Sequence, residues 1–348
     1  MPQKTDYRPI LALTPGDPSG IGPEITVMAL TQPEILADCR PLVIGEKRMI
    51  ERAMAATDLN LEINVVTDPK TGRYQEGWLD LVDLGNINEE IPYGVVKKAG
   101  GQAALDFIHK SIDLALDNQV DAVVTGPIHK EAIHLTGCRQ AGHTEIFGQR
   151  TGAEAVSSML SVGDFRVIHV TLHVGLVEAC RQLSRELILD KIRLAHEAML
   201  DLGIAKPRIA VPGLNPHSSD GGLFGDEEER IIIPALKEAR ANGYDVDGPV
   251  PPDSVFIKLR GRKYDVALAL YHDQGHIPTK LLGWNWDEES GRWTAMSGVG
   301  VTLGLPIIRT NPDNGTAFDL AGTGQANPQA MVEAVQMAAH LARAKRNV

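Results

Sequence analysis

The chain reads as an α/β protein, and its 348 residues fit two domains better than one. Three observations support this. Apolar runs rich in Val, Ile and Leu recur along the whole sequence with little alternation, as strands covered on both faces require. Segments of helical periodicity lie between them, the pattern of sheets flanked by helices. No repeat, low-complexity tract or long linker divides the chain, so two domains would be joined by continuous strands or helices.

In chain order the expected strands are 8–14 (RPILALT), 41–46, 61–66, 120–126, 165–173 (FRVIHVTLH), 208–214 and 264–272 (YDVALALYH). The helical segment 102–118 places Leu105, Ile108, Ile112 and Leu116 on one face. Segment 187–203 does the same and stops at Gly203, a residue type suited to ending helices. Further helices are expected to start near Pro23, in "TGPIHKEAI" (125–133), in "AGHTEIFG" (141–148) and near Pro328. Segment 283–298 holds three of the four tryptophans among charged residues and reads as an excursion at the surface or at a subunit contact.

A formal charge of -11 argues against nucleic acid or an anionic membrane as partner, because either would repel the surface. An anion must then be bound in a local pocket. The N-terminal residues lack a signal-peptide pattern and no run reaches the length of a membrane span, so a soluble, cytoplasmic protein is expected. Cys39, Cys138 and Cys180 are scattered, without a CxxC pair, and fit reduced thiols with no zinc or redox role.

Ligands of open α/β sheets bind at the carboxyl ends of strands, so polar groups that follow apolar runs carry the functional signal. "TPGDPSGIGPEI" (14–25) is a Gly/Pro-rich strand-to-helix turn, though neither a GxGxxG nor a Walker loop. His129 and Lys130 follow the strand at 120, and His143 and Thr144 sit at a helix start, where free N–H groups attract anions. Ordinary capping would account for either. His173, His217 and His272 each follow a different strand, and neutral imidazole is the commonest ligand of divalent transition metals. One such histidine would read as a buried, hydrogen-bonded side chain; three suggest a metal with an open position. His169 competes with His173, and His276 with His272; the latter of each pair of readings, His173 and His272, is preferred for lying at a strand terminus. In 304–331, Arg309 follows an apolar pair and a Gly-rich turn carries Asp319, which could hold a ribose or belong to a plain loop.

Together "GDPSGIGPEI", "TGPIHKEA", "GHTEIF", "GLNPH" with "GGLFGDEE", "GPVPPDSVF", "YHDQGHIPTK" and "GLPIIRT" with "NGTAFDLAGTG" resemble the 4-hydroxythreonine-4-phosphate dehydrogenase family over nearly the whole chain. The resemblance is closest to the catabolic branch, which acts on 4-phosphorylated threonate or erythronate or on terephthalate cis-dihydrodiol. It implies two α/β domains with a cleft between them, isocitrate/isopropylmalate dehydrogenase-like, over 1–138 plus 306–348 and 139–305. It implies a divalent cation (zinc, or Mg, Mn, Co or Ni) on His173, His217 and His272, with ligands from both subunits of a homodimer. Substrate contacts would fall on His143, Thr144, Lys280 and Arg309. The 315–327 segment looks like an adenosine-binding loop for NAD or NADP, with Gly315, Thr316, Asp319, Gly322 and Asn327 in contact. Where the family has a substrate Asn, nine residues before Arg309, this chain has Gly300. That loss and the added tryptophans would suit a flat ring dicarboxylate, whereas Arg309 with Lys280 suits a phosphate.

The expected chemistry is oxidation of an alcohol β to a carboxylate, with a metal that acidifies the alcohol and then stabilises the enolate left by loss of CO2. Lys130, Asp253 and Asp273 are the candidate bases, Lys130 ahead, and Asp273 could instead orient His272. A metal-dependent hydrolase or lyase without nicotinamide, and a silent binding protein for phosphorylated acids, are the readings from other classes.

Overall fold

The structure, a computed structural model, describes residues 7–153, 155–289 and 292–346, the side chains of 292, 294 and 295 apart. Two compact units emerge: Met1–Val156 with Ala295–Val348, and Ser157–Thr294. The first unit opens with β1 (Ile10–Thr14), α1 (Gly22–Leu30), α2 (Pro33–Asp38), β2 (Arg40–Gly45), α3 (Lys47–Ala56), β3 (Glu62–Val65) and β4 (Trp78–Asp83). It continues with α4 (Lys98–Leu116), β5 (Ala122–Thr125), α5 (Lys130–His134) and α6 (His143–Thr151). The second unit holds β6 (Ser157–Val162), β7 (Phe165–His169), α7 (Leu176–Gln182), α8 (Arg185–Asp201), β8 (Ile209–Pro212) and α9 (Ile233–Ala241). Then come β9 (Val246–Val250), α10 (Pro252–Arg260), β10 (Val266–Ala269), α11 (His272–Gly283) and the ribbon β11 (Trp284–Asp287) and β12 (Arg292–Met296), whose last two residues belong to the first unit. The chain returns to the first unit with β13 (Val299–Leu303), β14 (Arg309–Pro312) and α12 (Gln329–Arg346).

Strands of the first unit run in the order β3-β4-β2-β1-β5-β14-β13, all parallel except β13, which is antiparallel to β14. β1 (ILALT) and β5 (AVVT) are buried at every residue, which their unbroken apolar runs dictate. Burying a side chain such as Leu13 contributes about 1.5–3 kcal/mol, and helix α4 covers part of β1, its Leu105, Ile108 and Ile112 sharing one buried cluster with Ile10 and Ala12. The chain leaves β1 toward β2 on one side and later takes β5 on the other, so the carboxyl ends of β1 and β5 flank a switch point, where open sheets bind ligands. On α4, Leu105, Ile108 and Ile112 are buried as their spacing predicts. Leu116 is not: at the last turn it is 39% exposed and Ala115 takes the inner side.

Strands of the second unit run β6-β7-β10-β8-β9, antiparallel between β6 and β7 and parallel from there. Because β7, β10 and β8 are parallel neighbours, the loops that follow them leave the sheet on one side. The strands are shorter than their apolar runs suggest. β7 ends at His169 and β10 at Ala269, so His173 and His272 lie beyond the strand ends where the sequence reading placed them. Gln274 explains the second ending: its side chain accepts from Leu270 N at 2.7 Å and donates to Gly213 O at 2.9 Å, taking groups a longer ladder would use.

Candidate active site

In the first unit, the loops after β1 and β5 pack backbone against backbone. Asp17 N donates to Pro127 O at 2.9 Å and Gly126 N to Thr14 O at 2.6 Å. A Cβ at Gly16, which has φ +80°, would stand 2.1 Å from Pro127 O, so only glycine fits. This contact buries Asp17, whose Oδ1 accepts from Ser19 N at 2.9 Å while burial pushes the carboxyl up. Asp17 Oδ2, Ser19 Oγ, Thr14 Oγ1 and His129 Nδ1 are all buried without a hydrogen-bond partner in the chain. Buried polar atoms are normally satisfied, so a group of orphans at one strand-end crevice is the signature of a ligand site. Asp17 and Ser19 had gone unassigned in the sequence; "GDPSG" drew attention for its glycines, and its carboxylate was the signal passed over.

Arg309, the first residue of β14, is 4% exposed. Its Nε and Nη2 donate to Thr125 Oγ1 at 3.1 and 2.7 Å and its Nη1 to Thr302 Oγ1 at 2.8 Å. Among the described residues no carboxylate lies within 4 Å of it. Burial pulls its pKa down to about 9, partly countered by the more distant Glu145, so the guanidinium is still charged at neutral pH. His143 begins α6, with Thr144 next and no side-chain cap from Gly142. Burial first, and then the charge of Arg309, holds His143 well below the ordinary imidazole value, and its Nε2 is buried without a partner. A neutral imidazole, a helix N-terminus and an uncompensated guanidinium together make a seat for an anion.

Gly300 faces Asn311 across β13 and β14. A Cβ at 300 would stand 2.6 Å from Asn311 Oδ1 and 2.9 Å from its Nδ2, so the neighbouring strand's amide already fills the space a side chain at 300 would enter. The expected loss of an amide here is therefore offset. Lys130, the first residue of α5, is exposed. In the 315–327 loop, Gly315 and Asp319 are exposed, Thr316 O accepts from Ile21 N at 2.9 Å, and the ring of Phe318 stacks on His129 at 4.7 Å. Gly322 takes φ +83°, and Asn327 Oδ1 accepts from Gln329 N at 2.8 Å, capping α12.

In the second unit the structure gathers four imidazoles. His173 and His272 have ring centroids 5.8 Å apart, His272 stacks on His276 at 3.7 Å, and His276 Nδ1 lies 3.1 Å from His169 Nε2. Asp273 Oδ1 lies 2.6 Å from His272 Nδ1, an arrangement that fixes the ring and leaves Nε2 as the nitrogen free for a ligand role. His169 ends β7 at 1% exposure, and burial, ahead of its histidine neighbours, pulls it down to about 3. It is a core imidazole, walled in by Gly275, where a Cβ would stand 2.4 Å from His169 Nε2. His217 is not part of this group: it lies beside Asp253, with Nδ1 3.8 Å from Oδ2 and side chains 60% and 63% exposed. Among the described residues no three or more His, Cys, Asp or Glu are arranged to hold a metal ion. The donors fit a divalent cation in kind, and His173 and His272 are close to one another; His217 stands on a turn of unusual backbone. His217, Ser218, Ser219 and Asp220 all have positive φ, followed by Gly221 and Gly222, a left-handed turn that costs non-glycine residues roughly 1–2 kcal/mol each. The buried carboxylate of Glu228 supports it, accepting from Leu214 N and Asn215 N at 2.8 Å, as does Ser218 Oγ donating to Pro249 O at 3.3 Å. Lys280, on α11, places Nζ 4.4 Å from the ring centroid of Trp284, so the tryptophan segment braces this candidate substrate residue. Trp286 and Trp293, 52% and 47% exposed, complete an edge-to-face cluster on the ribbon.

The chain is similar to known proteins over nearly its whole length. The family described as Pyridoxal phosphate biosynthetic protein PdxA matches residues 37–338. D-threonate 4-phosphate dehydrogenase of Cupriavidus necator is 42% identical over 339 residues, covering 97% of this chain and 98% of that protein. The crystal structure of a 4-hydroxythreonine-4-phosphate dehydrogenase from Burkholderia phymatum is 40% identical with a TM-score of 0.82, covering 96% of this chain and 98% of that one. A terephthalate 1,2-cis-dihydrodiol dehydrogenase from Burkholderia xenovorans is 30% identical with a TM-score of 0.64, again over 96% and 98%. The strand-end crevice, the buried arginine and the histidine-bearing loops are thus those of a chain that belongs to the PdxA family.

Proposed function

We propose that the protein is a nicotinamide-linked dehydrogenase that oxidises the alcohol β to the carboxylate of a 4-phosphorylated threonate or erythronate, or of 4-hydroxythreonine phosphate. One observation carries the reading: a buried Arg309 with hydroxyl partners and, among the described residues, no carboxylate within 4 Å, beside a neutral His143. Such a cation is stable only when an anion completes it, and a phosphate accepts its forked donors. Arg309, His143 and Thr144 hold the phosphate, and Lys280 supplies a second positive charge to the substrate. Oxidation removes a hydride from carbon and a proton from the hydroxyl; NAD or NADP takes the hydride, and Lys130, Asp253 or Asp273 is the proton carrier. Bound to His173, His217 and His272, a divalent cation such as zinc would acidify the alcohol and stabilise the charge released when the β-keto acid loses CO2. Asp273 orients His272 through its hydrogen bond, which favours Lys130 as the carrier.

The dehydrogenase names of the relatives favour hydride transfer over metal hydrolysis. Among substrates, the higher identity to the phospho-acid enzymes and the amide that Asn311 supplies beside Gly300 favour a phosphorylated acid over the ring dicarboxylate. A homodimer accords with the exposed apolar side chains of the second unit: Leu176, Val177, Leu223, Ile257 and Leu281 are 61–78% exposed. A panel of 4-phosphothreonate, 4-phosphoerythronate, 4-phosphohydroxythreonine and terephthalate dihydrodiol, read as NAD(P)H formation with added metal, tests the assignment. Turnover of the dihydrodiol alone would overturn the substrate, and reduction with none of the four would overturn the class.

A further inference from the structure

Glu24 is a fully buried carboxylate in the first turn of α1. Its oxygens accept two backbone N–H groups from the far end of the sequence, Oε1 from Gly322 at 2.5 Å and Oε2 from Gly324 at 2.9 Å. Both glycines have left-handed φ, +83° and +67°. A Cβ at Gly322 would stand 2.4 Å from the Tyr93 ring, and one at Gly324 2.3 Å from Ala56 O. The 322–324 backbone is thus held by Glu24 and pressed against Tyr93 and Ala56, with no room for any other residue type. Arg52 braces Tyr93, its guanidinium carbon 4.0 Å from the ring centroid and its Nη2 donating to Pro18 O at 2.6 Å. A carboxylate is costly to bury unless charge-assisted hydrogen bonds and a helix N-terminus offset the loss of water; Glu24 has both.

We infer that Glu24 is a positioning residue for the dinucleotide: it fixes the loop at 315–324 in its binding conformation before the cofactor arrives. The inference rests on the proposed reading of 315–327 as the cofactor loop. A preformed loop spares binding the loss of backbone freedom, so releasing it weakens dinucleotide affinity and leaves the anion seat around Arg309 untouched.

The test uses the full-length enzyme. Amide exchange on the wild type should show Gly322 and Gly324 protected without cofactor, and NADH should extend protection across 315–327. Glu24→Gln keeps the volume but turns an amide N–H toward one of the glycine N–H groups. It should lose protection at 322–324, raise the Kd for NADH and the KM for NAD(P)+ by about tenfold or more, and leave the KM of the acid within about twofold. If the Gln variant does not fold, Glu24→Asp, which keeps the charge and shortens the reach, must show the same split. Unprotected glycine amides in the wild type, or a folded variant that binds NADH as tightly as wild type, overturns the assignment of Glu24. Turnover with no NADH-dependent protection anywhere in 315–327 would instead remove the cofactor-loop reading, and this inference with it.

Discussion

The anion seat of the first unit and the histidine face of the second carry the same kind of evidence in opposite states. Around Arg309 the side chains are closed in: the residue is 4% exposed and its hydroxyl partners Thr125 and Thr302 are buried. Around His217 the chain has left the site open, with the imidazole 60% exposed on a left-handed turn. A closed site fixes what may enter by charge and shape. An open one leaves its imidazole free to turn, while Glu228 holds the backbone that leads into it at Leu214 and Asn215.

Breaking each side should give different signatures. His217→Ala is expected to have the largest effect, abolishing bound metal and turnover together while the unfolding temperatures of the two metal-free proteins stay within about a degree, since an exposed side chain contributes little to folding. Metal content by atomic absorption and NADH formation measure it, and an active, metal-replete variant would remove His217 from the site. Arg309→Ala should come next. Losing one partner of a buried charge pair costs about 2–5 kcal/mol, so the KM of the acid should rise by roughly 30-fold or more with the KM of NAD(P)+ unchanged. The free protein should lose little stability, because an uncompensated buried cation is itself unfavourable. A large loss of stability with KM intact would mean that Arg309 is a structural residue.

How legible these sites were follows from where their partners lie. The strands β1, β2, β5, β8 and β10 announce themselves as unbroken apolar runs, and α5 and α6 by the turns before them. β4 (WLDLVD) and β14 (RTNP) do not, because each carries buried polar residues whose hydrogen-bond partners offset the loss of water. Asp80 in β4 accepts from Asn64, Arg73 N and Tyr74 N; Arg309 in β14 binds Thr125, 184 residues away. The histidines could be named from the sequence, but not their backbone: nothing in "NPHSSDGG" short of its two glycines hints at left-handed residues from His217 onward. Glu24 was hidden for the same reason as strand β14, since its partners come at the other end of the chain.

Two smaller tests sharpen the closed side. Gly300→Asn restores the residue type expected by family resemblance, but its Cβ would stand 2.6 Å from Asn311 Oδ1, so the two amides compete. Overpacking of this kind costs about 1–3 kcal/mol, and kcat/KM for the acid should fall by about tenfold. A gain in activity would show that Asn311 does not supply the missing amide.

The smallest effect concerns pH. Burial and the neighbouring Arg309 hold His143 well below its ordinary value in the folded protein, whereas the unfolded chain takes up that proton near pH 6.5. Below about 6.5 the unfolded state therefore binds more protons than the native one. The contribution of His143 is complete above that pH and declines as pH falls toward the folded value, by at most about 1.4 kcal/mol per pH unit. His143→Gln removes this slope and leaves every other titrating group common to both proteins. Urea midpoints of wild type and variant at pH 7.5 and 5.5 isolate it: the wild type should lose about 1 kcal/mol more than the variant across that interval. Parallel losses would mean that the imidazole is not sealed beside Arg309, and the anion seat would then be open to water like the histidine face.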